Sequence, residues 1–281
     1  MFTLASLSRI IIRKIVHISD IHFGQADHSV VESLVSGINE IGPDLVVVSG
    51  DLTQRAKTAE FRAARAFLNK LPCPQIVVPG NHDVPLYNIF DRFARPLNKY
   101  KRYISSDLHP FHADEEMAVL GLNTARSLTI KSGRINEEQI AVIQQKMDGL
   151  DEKMLKIIVT HHPFDLPGGV DENDIVGRAK DAMPKIADCG ADVFLAGHLH
   201  VSSITNSAHR YRLENGHAAL IVQAGTAAST RGRGEPNSFN LLEFEHPFLT
   251  VKRFECSSAP NGFLLATSEA FTQSVRGWVR M

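Results

Sequence analysis

Seven short runs of apolar, largely β-branched residues recur along this chain, and most of them stop in polar residues that ordinary turn chemistry does not explain. The runs are KIVHIS (14–19), DLVVVSG (44–50), QIVVPG (75–80), AVLGLN (118–123), LKIIVTH (155–161), DVFLAGH (192–198) and ALIVQAG (219–225). Strands that are apolar on both faces belong to sheets covered on both sides, so the runs argue for a layered α/β architecture rather than a half-exposed antiparallel sheet. Between them, residues 28–41, 56–70, 136–149 and 174–189 carry helical spacing. Thr58, and Asn136 ahead of Glu137, Glu138 and Gln139, read as helix start signals.

After about residue 219 the pattern changes. ALIVQ, SFNLLEFE and FLTVKRFE follow one another without intervening helices. This predicts a second sheet facing the first, and hence a four-layer α/β/β/α sandwich of two facing mixed sheets flanked by helices. Residues 1–256 are read as a single domain. Residues 257–281 are read as a tail, with loop composition and then a short amphipathic segment of no readable role.

Composition narrows the functional classes. The 281 residues are 43% hydrophobic, enough for a sizeable core. With 30 Lys and Arg against 31 Asp and Glu, no basic field announces a nucleic-acid partner, and none is expected. Cys73, Cys189 and Cys256 are odd in number and far apart, which suits a reducing compartment better than a disulfide framework. Arg9, Arg13 and Lys14 break the apolar start, and no stretch reaches the length of a spanning helix. The expectations are a cytoplasmic location and no membrane partner, with a homodimer as a possible assembly.

Five strand ends collect the chemistry: Asp20-Ile21-His22, Gly50-Asp51, Gly80-Asn81-His82-Asp83, Thr160-His161-His162-Pro163 and Gly197-His198-Leu199-His200. Parallel strands deliver their carboxyl ends to a common sheet edge, so these residues should converge. In extended backbone, positions i and i+2 point the same way, which would pair Asp20 with His22 and His198 with His200 while Ile21 and Leu199 face the core. Carboxylates, imidazoles and the Asn81 amide oxygen form a mixed nitrogen and oxygen set that fits manganese, iron or zinc better than calcium. Taken singly, each piece reads as a turn or a surface histidine. Five in succession, each at the end of its own strand, do not.

Those blocks, SDIHFG, VVSGDLT, VPGNHD, VTHHP and AGHLH, span about residues 14–201, and through them the sequence resembles the calcineurin-like metallophosphoesterases, most closely the class III cyclic-nucleotide phosphodiesterases. The resemblance implies the same four-layer fold and a binuclear centre of two divalent or trivalent transition-metal ions (Mn, Fe or Zn). It implies that Asp20, His22, Asp51 and His200 hold one metal and that Asp51, Asn81, His161 and His198 hold the other, with Asp51 as the bridge. His161 matches the family's ligand in the H-H-P block, and His162 is read as second-sphere or structural. His82 matches the catalytic histidine, with Asp83 expected to orient its ring through a hydrogen bond.

Two carboxylates against two divalent ions leave a net charge of about +2, which attracts a phosphate ester. The expected reaction is hydrolysis of a small phosphodiester, most readily a cyclic nucleotide, by in-line attack of a hydroxide shared between the metals, with His82 assisting the leaving oxygen. No Ser or Cys stands in a nucleophile-elbow context. Asn81 and His82 are also expected to touch the substrate. Arg231 and Arg233, in the Gly-spaced loop AGTAASTRGRGEPNSFN, are candidate phosphate ligands, although such loops are often merely solvated. Residues 162–174 read as a flap. His28, His109, His112, His209 and His217 take no role. The alternatives are a phosphomonoesterase, a nucleotide-sugar or lipid-precursor pyrophosphatase, and a scaffold that has lost catalysis.

Overall fold

Alternate residues of each buried strand point into different layers, and that division builds the molecule. In the computed structural model, which describes residues 12–167, 172–211, 213, 216–231, 234–257 and 262–281, thirteen strands form two mixed sheets. In chain order they are β1 (Arg13–Ile18), β2 (Leu45–Val48), β3 (Gln75–Val77), β4 (Phe111–Ala113), β5 (Met117–Gly121), β6 (Leu155–Val159), β7 (Val193–Ala196), β8 (Ser203–Asn206), β9 (Leu220–Gln223), β10 (Ser238–Glu245), β11 (Phe248–Cys256), β12 (Phe263–Ser274) and β13 (Gly277–Arg280). The first sheet has the order β13-β12-β11-β10-β1-β2-β3, the second β4-β5-β6-β7-β9-β8.

The six α-helices are α1 (His28–Ile41), α2 (Thr58–Leu68), α3 (Ile89–Ala94), α4 (Asn98–Tyr103), α5 (Glu137–Met147) and α6 (Ala179–Asp188). Val16, Ile18, Val46 and Val48 pack outward against Leu34 and Ile38 of α1 and Phe61 of α2. Ile15, Leu45 and Val47, one position along, pack inward against Ile157, Val159, Val193 and Leu195 of the second sheet. On the far side, Leu120, Ile158 and Phe194 meet Ile140 and Ile143 of α5 and Met183 and Ile186 of α6. These layers make the predicted four-layer sandwich. Each fully buried aliphatic side chain contributes about 1.5–3 kcal/mol, so the three apolar layers carry most of the stability. Asn136 caps α5, accepting from Gln139 N at 2.8 Å while Gln139 Oε1 accepts from Asn136 N. At α2 it is Glu60 rather than Thr58 that closes the start, accepting from Arg55 N and Lys57 N.

Two sequence expectations are corrected. The late strands do not build the second sheet: β10 adds antiparallel to β1, and β11 to β13 extend the first sheet, whereas only β9 of that region joins the second. The segment read as a loop and a short amphipathic stretch forms β12 and β13 instead, paired over Phe248↔Thr272 and Phe271↔Arg280 among others. Trp278 of β13 is buried and donates through Nε1 to Asp192 Oδ1 at 3.2 Å, while Lys156 N donates to Asp192 Oδ2 at 2.9 Å. This links the two sheets at the amino ends of β6 and β7, away from the edge where the polar blocks collect. No helix among the described residues is long and apolar enough to cross a membrane.

Candidate active site

β1, β2 and β3 of one sheet run parallel, as do β6 and β7 of the other, and their carboxyl ends bring the five polar blocks together. Beyond the strands the chain stays laced, with Asp20 N donating to Gly50 O at 3.1 Å and His22 N to Asp51 O at 3.0 Å. The backbone there is not extended. Asp20, His22, Asp51, His198 and His200 all have positive φ, from 52° to 76°. The left-handed region costs an L-residue about 1–2 kcal/mol, and five such residues facing one point mark a site that the surrounding fold holds under strain. Ile21 and Leu199 do face the core, yet a left-handed turn rather than a pleat turns them there. Close approach also explains Gly80, where a β-carbon would fall on the Asp51 carboxylate.

Two donor clusters share Asp51. In the first, His22 Nε2 lies 3.5 Å from Asp20 Oδ1, 3.7 Å from Asp51 Oδ2 and 3.3 Å from His200 Nε2. His200 Nε2 is 3.2 Å from Asp20 Oδ1. In the second, Asn81 Oδ1 lies 3.1 Å from both His161 Nε2 and His198 Nδ1, and His161 Nε2 is 3.4 Å from Asp51 Oδ1. The two oxygens of Asp51 therefore face different clusters. His198 and His200, paired by strand spacing alone, divide between the clusters, as the family resemblance implies.

The donors fit bound cations. Asp20 Oδ1 is buried without a well-formed hydrogen bond among the described residues, and two imidazole nitrogens crowd beside it. His161 Nδ1 donates to Ser49 O at 2.8 Å and His200 Nδ1 to Arg231 O at 3.3 Å, so that each Nε2, once deprotonated, directs its lone pair into its cluster. Asp20, His22, Asp51 and His200 could hold one ion, and His161 and His198 supply nitrogens for another. His162, close to the latter pair, has both ring nitrogens engaged, with Thr124 Oγ1 at 2.8 Å and Lys131 O at 2.6 Å. It ties down a loop.

Charge follows from this crowding. Burial disfavours ionised Asp51, but the imidazoles of His161, His22 and His82 outweigh it and hold its pKa far below the usual carboxylate range. Asp20 behaves alike, burial being overcome by His200, His22 and His161. Burial likewise opposes a charged His161, yet Asp51 and Asp20 push its pKa up to about 9.

His82 sits at the rim. Its backbone N donates to Asp51 Oδ1 at 2.8 Å, its ring Nδ1 lies 3.0 Å from Gln54 O, and Nε2 faces Arg231 Nη1 at 3.2 Å. Burial lowers its pKa, with Asp51 opposing and His22 and Arg231 adding to the fall. Asp83 does not orient this ring, which corrects the sequence reading. Its carboxylate accepts from Gly80 N, Leu52 N, Thr53 N and Thr53 Oγ1 at 2.9–3.2 Å, so it organises the backbone turns around Asp51. Its pKa is pushed up to about 6 by burial and by Asp51.

Asp51, Asn81, His82, His198 and His200 open onto a cleft of about 140 Å³ that Arg231, Lys131 and Asp174 also line. Arg231 thus reaches the site, whereas Arg233 lies outside the described residues, as do residues 168–171 of the expected flap. Sequence reasoning missed Gln54 and Lys131, and reached Asp174 only as the last residue of the expected flap. Gln54 directly follows the VVSGDLT block and offered a faint signal; the SLTIKSGR loop that carries Lys131 offered none.

The chain is similar to several known proteins. The chain is 28% identical over 165 residues to the glycerophosphodiester phosphodiesterase GpdQ of Enterobacter lignolyticus, a match covering 54% of this chain and 58% of that protein, so under two thirds of its length is spanned. It is 23% identical over 205 residues to the 3′,5′-cyclic adenosine monophosphate phosphodiesterase CpdA of Escherichia coli K12, covering 66% and 69% of the two chains. A dimetal phosphatase from Danio rerio shares the fold with a TM-score of 0.66 at 13% identity, covering 93% of this chain and 99% of that one. Purple acid phosphatase from yellow lupin does so at 0.69 and 12%, covering 94% and 54%. The sequence profile of the calcineurin-like phosphoesterases matches residues 13–202, a span that contains all five polar strand ends, and on that match the chain belongs to the calcineurin-like phosphoesterase family.

Proposed function

We propose that this metallophosphoesterase is a binuclear phosphodiesterase for small diesters, with a 3′,5′- or 2′,3′-cyclic nucleotide as its leading substrate. The observation that carries the reading is the convergence of two donor clusters on Asp51 beside a cleft of about 140 Å³, with Arg231 and His82 at its mouth. Asp20, His22, Asp51 and His200 would hold one transition-metal ion, and Asp51, Asn81, His161 and His198 the other. When bound, such ions supply Lewis-acid charge to a phosphoryl oxygen and lower the pKa of water.

The chain's own residues do the rest. The Arg231 guanidinium, which donates to Gln54 Oε1 and His82 Nε2 in the structure, is placed to turn its planar fork onto the phosphoryl oxygens. That turn frees His82 Nε2. With Nδ1 donating to the Gln54 carbonyl, Nε2 would take up a proton from solvent once Arg231 turns away and give it to the leaving oxygen, a contribution of about 10²–10⁴-fold. Asn81 reaches the cleft and orients the bound ester. A second reading, a glycerophosphodiester as substrate, is favoured by the name of the Enterobacter relative.

The test is a panel assayed with manganese: both types of cyclic nucleotide, glycerophosphodiesters, phosphomonoesters and pyrophosphates. Fastest turnover of a cyclic nucleotide supports the leading reading. Preference for a glycerophosphodiester selects the second, and turnover confined to monoesters or pyrophosphates removes both.

A further inference from the structure

Helix α3 is built inside out. In its sequence, IFDRFA, Ile89, Phe90 and Phe93 are 71%, 67% and 56% exposed, while Arg92 is buried. A surface helix ordinarily turns its apolar side chains to the core and its charges to water. Arg92 has a structural reason to be inside: Nη1 donates to Pro85 O at 3.1 Å and Nη2 to Thr129 O at 2.5 Å. It thereby clamps α3 to the loop that carries Leu128 and Ile130, which are themselves 71% and 61% exposed. Tyr87, 74% exposed, adjoins them, and its hydroxyl accepts from Arg55 Nη1 at 2.9 Å. Single exposed apolar residues are ordinary, but six on two clamped segments form a patch of the kind that meets a partner.

The charge around the patch selects the partner. Apart from buried Arg92, segments 85–95 and 126–134 carry Arg95, Arg126, Lys131 and Arg134 against Asp91 alone, in a chain whose net charge is −1. Arg95 lies over the Phe90 ring at 5.8 Å. Beside the patch opens a cavity of about 840 Å³, with Leu128 shared between them and Arg95, Lys101, Arg126 and Arg134 in its wall; Glu138 is its only acidic residue. Apolar side chains flanked by arginine and lysine are the composition of surfaces that settle on anionic lipid, the apolar groups entering the boundary of headgroups and acyl chains while the cations meet the headgroups. No spanning segment is needed for this. A self-association surface would call for balanced charge, because a two-fold axis sets like patches against each other.

We infer that α3 and the 126–134 loop form a docking face for an anionic lipid surface, with the Arg126-lined cavity receiving an anionic headgroup. Lys131 belongs to the same loop and lines the catalytic cleft, so docking would bring that cleft to the lipid. The inference does not depend on which ester the cleft cleaves.

Co-sedimentation with vesicles of phosphatidylglycerol and phosphatidylcholine in equal parts tests it, with pure phosphatidylcholine vesicles alongside. The full chain is expected to sediment with the mixed vesicles only, and less so as salt is raised. The double variant Ile89→Ser and Phe90→Ser, and separately Arg126→Glu, should each weaken binding by about tenfold or more, with unchanged thermal midpoints as evidence of folding. Failure to bind the anionic vesicles, equal binding to both kinds, or indifference to these substitutions would overturn the proposal. So would a stable dimer in solution that the same substitutions dissociate, since the patch would then belong to a second copy of the chain.

Discussion

The two donor clusters differ in how they are enclosed. Asp20, His22 and Asp51 are at most 1% exposed, whereas in the other cluster Asn81 is partly open to the cleft; His161 there is fully buried, and the His198 and His200 side chains, one in each cluster, are both 9% exposed. The closed cluster also holds most of the left-handed backbone, with Asp20, His22, Asp51 and His200, against His198 in the open one. On the proposed reading, the more buried, left-handed cluster would be preformed for its ion, while the one built around the neutral Asn81 oxygen would hold its ion less tightly. The expected division of labour is that the first half-site keeps its ion while the second, beside Asn81, meets the phosphate.

The most severe way to erase this contrast is to remove what the halves share. Asp51→Asn should reduce metal content from about two ions to fewer than one and cut hydrolysis of bis-(p-nitrophenyl) phosphate by at least about 10³-fold, given the charge stabilisation such ions provide. Elemental analysis with rate measurement checks it, and a variant retaining both ions would dissolve the shared-ligand reading. His82→Ala probes the rim alone: both ions stay, and turnover drops by about 10²–10⁴-fold. Loss of metal together with activity would move His82 among the ligands.

Asn81→Ala separates the halves directly. One ion should remain tightly held while the manganese concentration needed for activity rises about 10–100-fold. If both ions became equally weak, the halves would be one unit. A further distinction lies in protons. The His161 pKa of about 9 means that, below that value, a metal must displace a proton from Nε2 to bind. Affinity at the open half-site should therefore rise with pH, by about tenfold per unit from pH 6 towards 9, and level off above; manganese titrations in weakly buffered solution, with proton release recorded, test the sign. The smallest effect belongs to Arg231→Met, expected to raise KM by about tenfold with metal content unchanged, as befits one charged hydrogen-bonding group.

How much of this was legible in the sequence depends on whether a residue's role is local. Asp20, His22, Asp51, Asn81, His161, His198 and His200 stand at strand ends, and parallel topology brings strand ends together, so type and position sufficed. Asp83 follows His82 in the chain but turns to the backbone N–H groups of Gly80, Leu52 and Thr53, a destination that only the β2–β3 pairing creates. Left-handed backbone at Asp and His is only weakly foretold by residue type, since both tolerate it more than most but adopt it in few of their occurrences. β12 was illegible for another reason: over Leu264–Glu269 nearly every side chain is exposed, so neither alternation nor an apolar run marks it as a strand. The inverted helix α3 is likewise hidden, because its apolar spacing reads as a core face.

The position of β1 has a consequence for how the molecule is assembled. β1 lies between β2, reached after a short excursion, and β10, some two hundred residues away in the chain. Pairings of such long range are formed late and slow folding. Until Ser238–Glu245 arrives, any partly folded intermediate presents Arg13–Ile18 as an uncovered apolar edge, open to pairing with a strand of another molecule. The strand that carries Asp20 and His22 to the active site is therefore also the segment through which a nascent or truncated chain is most prone to aggregate.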